Sequence, residues 1–161
     1  CALPILMNAL QAAGSARIVC VASEAHRIGN ADFSDITKAR GYSAWRTYGQ
    51  TKLMNIMFTY EFSRRLKDSK VTINCLHPGF VASKFGHNND GFNGIFLKIS
   101  QKLFAIDENR GSDTSVYLAS SEDVEGVSGK YFVKCKPKRS KGVTYNEGAA
   151  KELWGLSERL V

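Results

Sequence analysis

An α/β fold built on a parallel sheet is predicted by two features of this 161-residue sequence. Two continuous apolar, β-branched runs, ARIVCVAS at 16–23 and KVTINCLHPG at 70–79, have the pattern of strands buried on both faces. Between them, residues 45–67 carry apolar side chains at the spacing of an amphipathic helix, including Leu53 and Ile56. A strand, a helix and a second strand in this order form a parallel βαβ unit.

The remaining elements continue the same alternation. Pro4 suits the first turn of a helix and Gly14 suits its end, and Asp107 has the side chain of an N-cap for a later helix. The predicted elements are a helix at 4–13, an irregular polar stretch at 24–43, a helix at 107–120, a strand at 129–135 and a short helix at 146–161. We therefore expect a single domain over 1–161, a length that is sufficient for a core of its own.

The net charge of +7 is concentrated in one segment, KCKPKRSKG at 134–142. This segment contains no aromatic residue that could stack on bases, and no nucleic-acid-binding motif accompanies it. We interpret it as a solvated basic turn and predict no nucleic-acid partner. A weak attraction to anionic membrane surfaces remains an alternative role for it. No apolar run approaches the roughly 20 residues of a membrane span, and the N-terminal sequence lacks the leading basic region of a signal peptide.

The cysteines and histidines do not form a recognisable metal or disulfide pattern. The residues concerned are Cys1, Cys20, Cys75, Cys135, His26, His77 and His87. No C-x-x-C pair occurs, and Cys20 and Cys75 lie inside the predicted strands, where a free thiol behaves as a small hydrophobic group. We therefore predict no metal site and an intracellular, reducing compartment, with the cytoplasm as the expected location.

Three polar features fall where the predicted strands and the long helix meet. Ser23 ends the first strand, the HPG turn at 77–79 ends the second, and Tyr48 begins the long helix with Lys52 four residues later. Positions i and i+4 share one face of a helix, and ligands of open parallel sheets gather at the carboxyl ends of the strands. A lysine stem covering a surface tyrosine would give the same spacing. Because Ser23 is expected at the same edge of the sheet, we favour the interpretation that Ser23, Tyr48 and Lys52 line one crevice.

The chain resembles the short-chain dehydrogenase/reductase family, and within it the retinol-dehydrogenase-like branch. RIVCVASEAH resembles the strand that carries the family's catalytic serine, here Ser23, with Ala22 where the family often has another serine. TYGQTKL matches the Tyr-x-x-x-Lys segment and LHPGFVAS matches the turn after the next strand. EGVSGKYF and AKELWGLSERLV resemble the C-terminal region of the branch. The resemblance implies a Rossmann-type fold of which this chain is the C-terminal, catalytic half, since the family's Gly-rich dinucleotide loop is absent from the sequence.

The resemblance also implies catalytic roles for Ser23, Tyr48 and Lys52. A free tyrosine hydroxyl titrates at about pH 10, and a nearby ammonium favours the phenolate. With Lys52 one turn away, Tyr48 is predicted to act as general acid in reduction and general base in oxidation. Ser23 would donate a hydrogen bond to the substrate oxygen. Lys52 would also hold the ribose hydroxyls of NAD or NADP, and the resemblance favours NADP slightly.

Two further ligand contacts are expected beyond the second strand. Pro78 fixes one backbone angle and Gly79 permits close approach. The cofactor-binding residues that the resemblance implies are Tyr48, Lys52, Pro78, Gly79, Phe80, Val81 and Ser83. The alternative for the HPG segment is a simple strand-ending turn. Phe85, Phe92 and Phe96 lie in an apolar segment at 80–106 that would suit a lipophilic substrate, although an amphipathic helix packed on the core would have the same composition.

The sequence therefore leads to two functional hypotheses. The first is an NAD(P)-dependent oxidoreductase that interconverts an alcohol and a carbonyl on an apolar, retinol-like or other lipophilic substrate. The second is a truncated, catalytically silent fragment that acts only as a folding or interaction module. A homo-oligomer is expected for the isolated chain. In the family's usual strand order the strand at 16–22 pairs with a strand of the missing half, so here it would be an apolar edge that another chain can pair with. A dimer through the helix at 4–13 and the Tyr48 helix, which resemble the family's dimer helices, is an alternative, and an N-terminal segment folded over the edge would instead leave a monomer.

Overall fold

The computed structural model describes residues 3–36, 41–79 and 108–160, and a four-stranded sheet lies at its centre. The strands, in their order across the sheet, are β1 (Ala16–Val21), β2 (Val71–His77), β3 (Tyr131–Val133) and β4 (Lys136–Lys138). The pairs β1–β2 and β2–β3 are parallel, and β3–β4 is antiparallel. The predicted α/β class is confirmed.

The sheet is covered by helices on both faces. The helices are α1 (Leu3–Ala12), α2 (Ala44–Arg65), α3 (Glu108–Ser120) and α4 (Glu147–Arg159). On one face, Ile56 of α2 packs with Cys75 of β2, and α4 packs in turn on α2. On the other face, Leu118 of α3 packs with Leu76 and Phe132. Alternate residues of β2 thus point into two different cores, which explains why its sequence is an unbroken apolar run.

One buried polar side chain, Asn74, interrupts the apolar sequence of β2 and holds the segment that leads into β3. Asn74 in β2 donates from Nδ2 to the Val127 carbonyl at 2.7 Å and accepts the Lys130 N–H at Oδ1 at 3.0 Å. Both hydrogen-bonding groups are therefore satisfied, as a buried amide requires. The two bonds fix the turn that leads into β3.

The basic segment at 134–142 is mostly exposed, in agreement with a solvated turn, but it also contains a strand that was not predicted. Its first part forms the exposed edge strand β4, joined to β3 by a two-residue turn at Lys134 and Cys135. Both turn residues have positive φ, 52° and 58°. Two consecutive residues in this region form a type I′ hairpin turn, for which Asn-Gly is the usual sequence signal. Lys-Cys carries no such signal, so the hairpin was missed.

The other element boundaries lie within a few residues of the predicted ones. Two short 3-10 helices flank the site region, Glu24–Ile28 in the stretch predicted to be irregular and Gly142–Tyr145 before α4. The proposed cap Asp107 and the Phe-rich segment at 80–106 lie outside the described residues. At the other edge of the described sheet, β1 is paired with β2 alone.

Candidate active site

Ser23 lies two residues beyond β1 and caps the 3-10 helix that follows. Its backbone is extended, and its Oγ accepts the Ala25 N–H at 3.2 Å. A serine hydroxyl has one proton to donate and two lone pairs to accept with. Because Ala25 uses only a lone pair, the Ser23 proton remains available for an oxygen atom at this edge of the sheet.

Tyr48 and Lys52 lie one turn apart near the start of α2. The Lys52 Nζ is 5.5 Å from the centroid of the Tyr48 ring and donates to the Val21 carbonyl at 3.2 Å. Trp45 stacks on Tyr48, and the centroids of the two rings are 6.1 Å apart. Partial burial lowers the pKa of the Lys52 ammonium. A partly desolvated ammonium gains more from a neighbouring anion than a fully hydrated one does.

Asn55 is a further contributor that sequence reasoning did not identify. It lies three residues after Lys52, and its Nδ2 also donates to the Val21 carbonyl, at 3.3 Å. Two side-chain donors thus converge on one carbonyl at the end of β1. Because Asn55 also donates to it, the Val21 carbonyl does not depend on Lys52 alone for a side-chain hydrogen bond, an arrangement that the i+3 spacing of Lys52 and Asn55 would not reveal.

The loop that carries Ser23 meets the helix that carries Tyr48 at a pair of glycines. A Cβ on Gly29 would lie 2.6 Å from the Gly49 carbonyl oxygen, and a Cβ on Gly49 would lie 2.7 Å from the Ala25 carbonyl oxygen. Both distances are far below contact distance, so only glycine fits at either position. The close approach brings Ser23, Tyr48 and Lys52 to the same edge of the sheet.

The HPG turn reaches this edge from β2. Gly79 has φ +91°, a conformation that favours glycine, and Pro78 precedes it in a half-buried position. The Nδ1 of His77 accepts the Glu24 N–H at 3.3 Å, which ties the end of β2 to the loop after Ser23. The remaining predicted ligand contacts lie outside the described residues; these are Phe80, Val81, Ser83, Phe85, Phe92 and Phe96.

Glu24 connects the loop after Ser23 to neighbouring elements through several polar contacts. Its carboxylate accepts the Tyr131 hydroxyl at 3.1 Å and pairs with Arg27. Partial burial works against ionisation, but the hydrogen bond and charge of Arg27 prevail and lower the pKa of the Glu24 carboxyl. The carboxylate is therefore a charged anchor between the loop and β3.

Two histidines beside this anchor give the fold a pH dependence. Burial lowers the pKa of both His26 and His77. Unfolded histidine takes up a proton near pH 6.5, whereas these two do so only at lower pH. Between the pKa of the unfolded histidines and the lower pKa of the folded ones, the unfolded state binds more protons. The contribution of these two neutral histidines to the free energy of unfolding is therefore full above about pH 6.5 and is lost as the pH falls.

We therefore expect urea melts to show a falling midpoint between about pH 7 and about pH 5, a range in which Glu24 stays ionised. His26→Asn removes one of the two titrating groups and should make the decline shallower. An unchanged midpoint across this range in the native sequence would contradict the expectation.

The described part of the chain offers neither a metal site nor a membrane-spanning helix. There, no three His, Cys, Asp or Glu side chains are grouped closely enough to hold a metal ion. Within the same residues, no helix combines the length and the apolar character needed to cross a membrane.

Comparison with known proteins gives consistent relatives. No protein-family profile matches the chain. Human retinol dehydrogenase 14 is 38% identical over 160 residues, which cover 98% of this chain and 47% of the human protein. Mouse retinol dehydrogenase 13 is 36% identical over 162 residues, covering 98% of this chain and 48% of the mouse protein. Chicken WW domain-containing oxidoreductase is 34% identical over 165 residues, covering 98% of this chain and 40% of that protein.

A solved structure agrees with the fold. The crystal structure of an uncharacterised protein from Mycobacterium paratuberculosis matches with a TM-score of 0.65 and 25% identity, covering 91% of this chain and 50% of that one. The chain spans about half the length of the curated relatives it matches. The predicted resemblance is confirmed: this chain is similar to the C-terminal half of retinol dehydrogenases, which are short-chain dehydrogenases/reductases.

Proposed function

We propose that the chain is the catalytic half of an NAD(P)-dependent oxidoreductase that interconverts an alcohol and a carbonyl on an apolar substrate. The observation that carries the proposal is the position of Lys52, whose ammonium lies 5.5 Å from the Tyr48 ring at the sheet edge reached by Ser23. The names of the relatives, retinol dehydrogenases and an oxidoreductase, support the same class of reaction.

Tyr48, Ser23 and Lys52 each have a different role in the proton chemistry. Hydride transfer to a carbonyl carbon leaves a negative charge on its oxygen, and the Tyr48 hydroxyl supplies the proton that neutralises it. Ser23, whose lone pair is already occupied by Ala25, donates its proton in a hydrogen bond to the same oxygen. Lys52 stabilises the phenolate that Tyr48 becomes. In alcohol oxidation the proton moves in the opposite direction, from the substrate hydroxyl to the Tyr48 phenolate, while Ser23 keeps its proton.

The described residues fit a nicotinamide nucleotide. Lys52 offers a partly buried ammonium for ribose hydroxyls, and Gly79 offers a backbone without a side chain beside Pro78. The bound nicotinamide would supply or accept the hydride. The chain's own part is to hold the substrate oxygen against Ser23 and Tyr48. NADP is the slightly favoured cofactor, and a retinol-like lipid is the favoured substrate class because of the relatives' names.

The direct test is turnover by the full-length protein that carries this sequence. With NADPH and an apolar aldehyde such as retinal, we expect loss of the absorbance of the reduced nicotinamide, and with NADP and retinol its gain. Ser23→Ala should lower kcat by roughly a hundredfold, the effect of removing one donor to the reacting oxygen. Absence of nucleotide-dependent turnover on both apolar and polar carbonyl substrates would refute the proposal.

The silent-fragment hypothesis is favoured by one observation, the coverage of only about half of each relative. The pyrophosphate of a dinucleotide is normally held at a Gly-rich turn and helix N-terminus, and this sequence has no such Gly-rich loop. We therefore expect the 161-residue chain by itself to bind NADPH too weakly to saturate at micromolar concentration. Titration followed by nucleotide fluorescence measures this, and saturation in the micromolar range would show that the chain holds a complete cofactor site.

We also propose that the isolated chain self-associates. In the described sheet, β1 lies at an edge and presents Ile18, Val19 and the half-exposed Val21. An apolar edge strand offers unpaired backbone groups to a second chain. Sedimentation at low micromolar concentration should show species larger than the monomer, whereas one monomeric species with a cooperative melt would contradict self-association.

A further inference from the structure

His26 is fully buried beside Ser23, yet the proton chemistry above does not use it. We propose that His26 is the positioning residue of the active site, which fixes the Ser23 backbone through one neutral tautomer anchored by the turn at 140–145. The inference rests on the proposed function of Ser23 and extends the site to a residue that does not contact the reacting atoms.

The two ring nitrogens of His26 have different partners, and these partners define the tautomer. Its Nδ1 lies 2.7 Å from the Ser23 carbonyl oxygen, which can only accept, so Nδ1 carries the proton. Its Nε2 lies 3.2 Å from the backbone nitrogen of Lys141, which can only donate, so Nε2 carries none. A neutral imidazole satisfies both bonds at once, and a charged imidazolium cannot.

The turn that holds Nε2 is itself fixed to the rest of the fold. The Lys141 Nζ donates to the Gly29 carbonyl at 2.7 Å, which closes the loop at its far end. The Ser140 hydroxyl is 2.8 Å from the Tyr60 hydroxyl of α2 and 2.7 Å from Thr144 Oγ1. His26 therefore connects Ser23 to the turn at 140–145, and this turn is hydrogen-bonded to α2, the helix that carries Tyr48.

The bonds at Ser23 explain what this support does. The Ser23 carbonyl accepts both the His26 N–H, at 3.0 Å, and the Nδ1–H. These two bonds fix the turn in which the Ala25 N–H reaches Ser23 Oγ. With that lone pair occupied, the hydroxyl proton is left free for an acceptor outside the loop. Loss of the Nδ1–H bond should free the serine to rotate.

The charged and titratable groups around the ring are consistent with a neutral His26. Glu24 and Arg27 flank it on its own 3-10 helix, Tyr131 of β3 packs edge-on at 5.1 Å, and His77 and Lys141 approach from β2 and the supporting turn. Burial and the charges of Arg27 and Lys141 disfavour the imidazolium, and the hydrogen bond to the Ser23 carbonyl and the charge of Glu24 oppose them only in part.

The substitutions His26→Asn and His26→Gln each keep one of the two hydrogen bonds of the His26 ring and remove the other. In His26→Asn, the side-chain amide nitrogen can take the place of Nδ1 and donate to Ser23, but nothing reaches Lys141. In His26→Gln, the longer side chain can place its carbonyl oxygen near the position of Nε2 and accept from Lys141, but no donor remains for Ser23. Both keep a polar, uncharged side chain of similar size, and His26→Ala removes both bonds.

The experiment uses the full-length protein and two readouts, steady-state reduction of retinal by NADPH and hydrogen exchange of the Ala25 amide. We expect His26→Ala and His26→Gln to lower kcat about tenfold with the KM for NADPH within about twofold of the native value, because misplacing one polar contact affects the reacting geometry more than nucleotide binding. Exchange of the Ala25 amide should rise by a similar factor. His26→Asn should restore both readouts to within about threefold of native.

Equal values of kcat and of Ala25 exchange in His26→Asn and His26→Gln would overturn the proposal, because a merely structural role depends on filling the space and not on the Nδ1–H bond. A native protein without turnover would refute the proposed function of the site. The exchange rates would then still decide whether His26 holds the Ser23 turn.

Discussion

Tyr48→Phe is expected to lower kcat about a thousandfold or more, within the range that general acid–base catalysis contributes. The substitution removes one oxygen atom and leaves the ring, which keeps its stacking on Trp45 at 6.1 Å and its place beside the Lys52 ammonium. The fold should therefore be unchanged, while the proton for the substrate oxygen has no donor. The measurement is single-turnover reduction of retinal by NADPH in the full-length protein, with thermal melting as the check of folding.

Trp45→Phe is the matched control for this substitution. It changes the other partner of the stacked pair, and Trp45 is half exposed, so the expected change in kcat is no more than about threefold. Turnover of Tyr48→Phe within about threefold of native would remove Tyr48 from the catalytic role. A large loss accompanied by a lower melting temperature would instead assign the tyrosine to the fold.

Gly29→Ala is expected to cause a large loss of stability through a single added methyl group at the site. The added Cβ would lie 2.6 Å from the Gly49 carbonyl oxygen, 2.9 Å from its carbonyl carbon and 2.9 Å from Leu53 Cβ. Two of these atoms belong to the Gly49 backbone in the second turn of α2, so neither can move without distorting the helix. Overpacking of this kind costs about 1–3 kcal/mol, and it should also move the Ser23 loop away from Tyr48.

Gly142→Ala is the control, because a Cβ there meets nothing within 4 Å. Gly29 itself has φ −69°, an angle that alanine adopts freely, so any difference between the two variants reports on space and not on backbone strain. Urea melts compare the free energies of unfolding, and kcat is measured in the full-length pair. Equal stability of both variants would mean that the loop and α2 are not in the close contact described.

Local sequence patterns determined the class of the fold and three residues of the candidate site. The unbroken apolar runs around Ile18 and Ile73 indicate strands with two buried faces, and parallel order follows from the helix between them. Ser23, Tyr48 and Lys52 could be proposed because Ser23 follows the first strand, Tyr48 lies near the start of the long helix with Lys52 one turn later, and all three occur at the family's spacing. These features depend on short stretches of chain, which a sequence records directly.

The tertiary structure decided how those residues are held. Nothing in the sequence pairs His26 with Lys141, which are 115 positions apart in the chain and joined by one hydrogen bond. Nor does it place Gly29 against Gly49, because two isolated glycines carry no pattern until a loop and a helix pack backbone to backbone. The hairpin turn at Lys134 and Cys135 likewise adopts positive φ without a turn sequence, since pairing of β4 with β3 imposes it. Contacts between distant segments depend on packing in three dimensions, and they are set by the whole fold and not by any local run of residues.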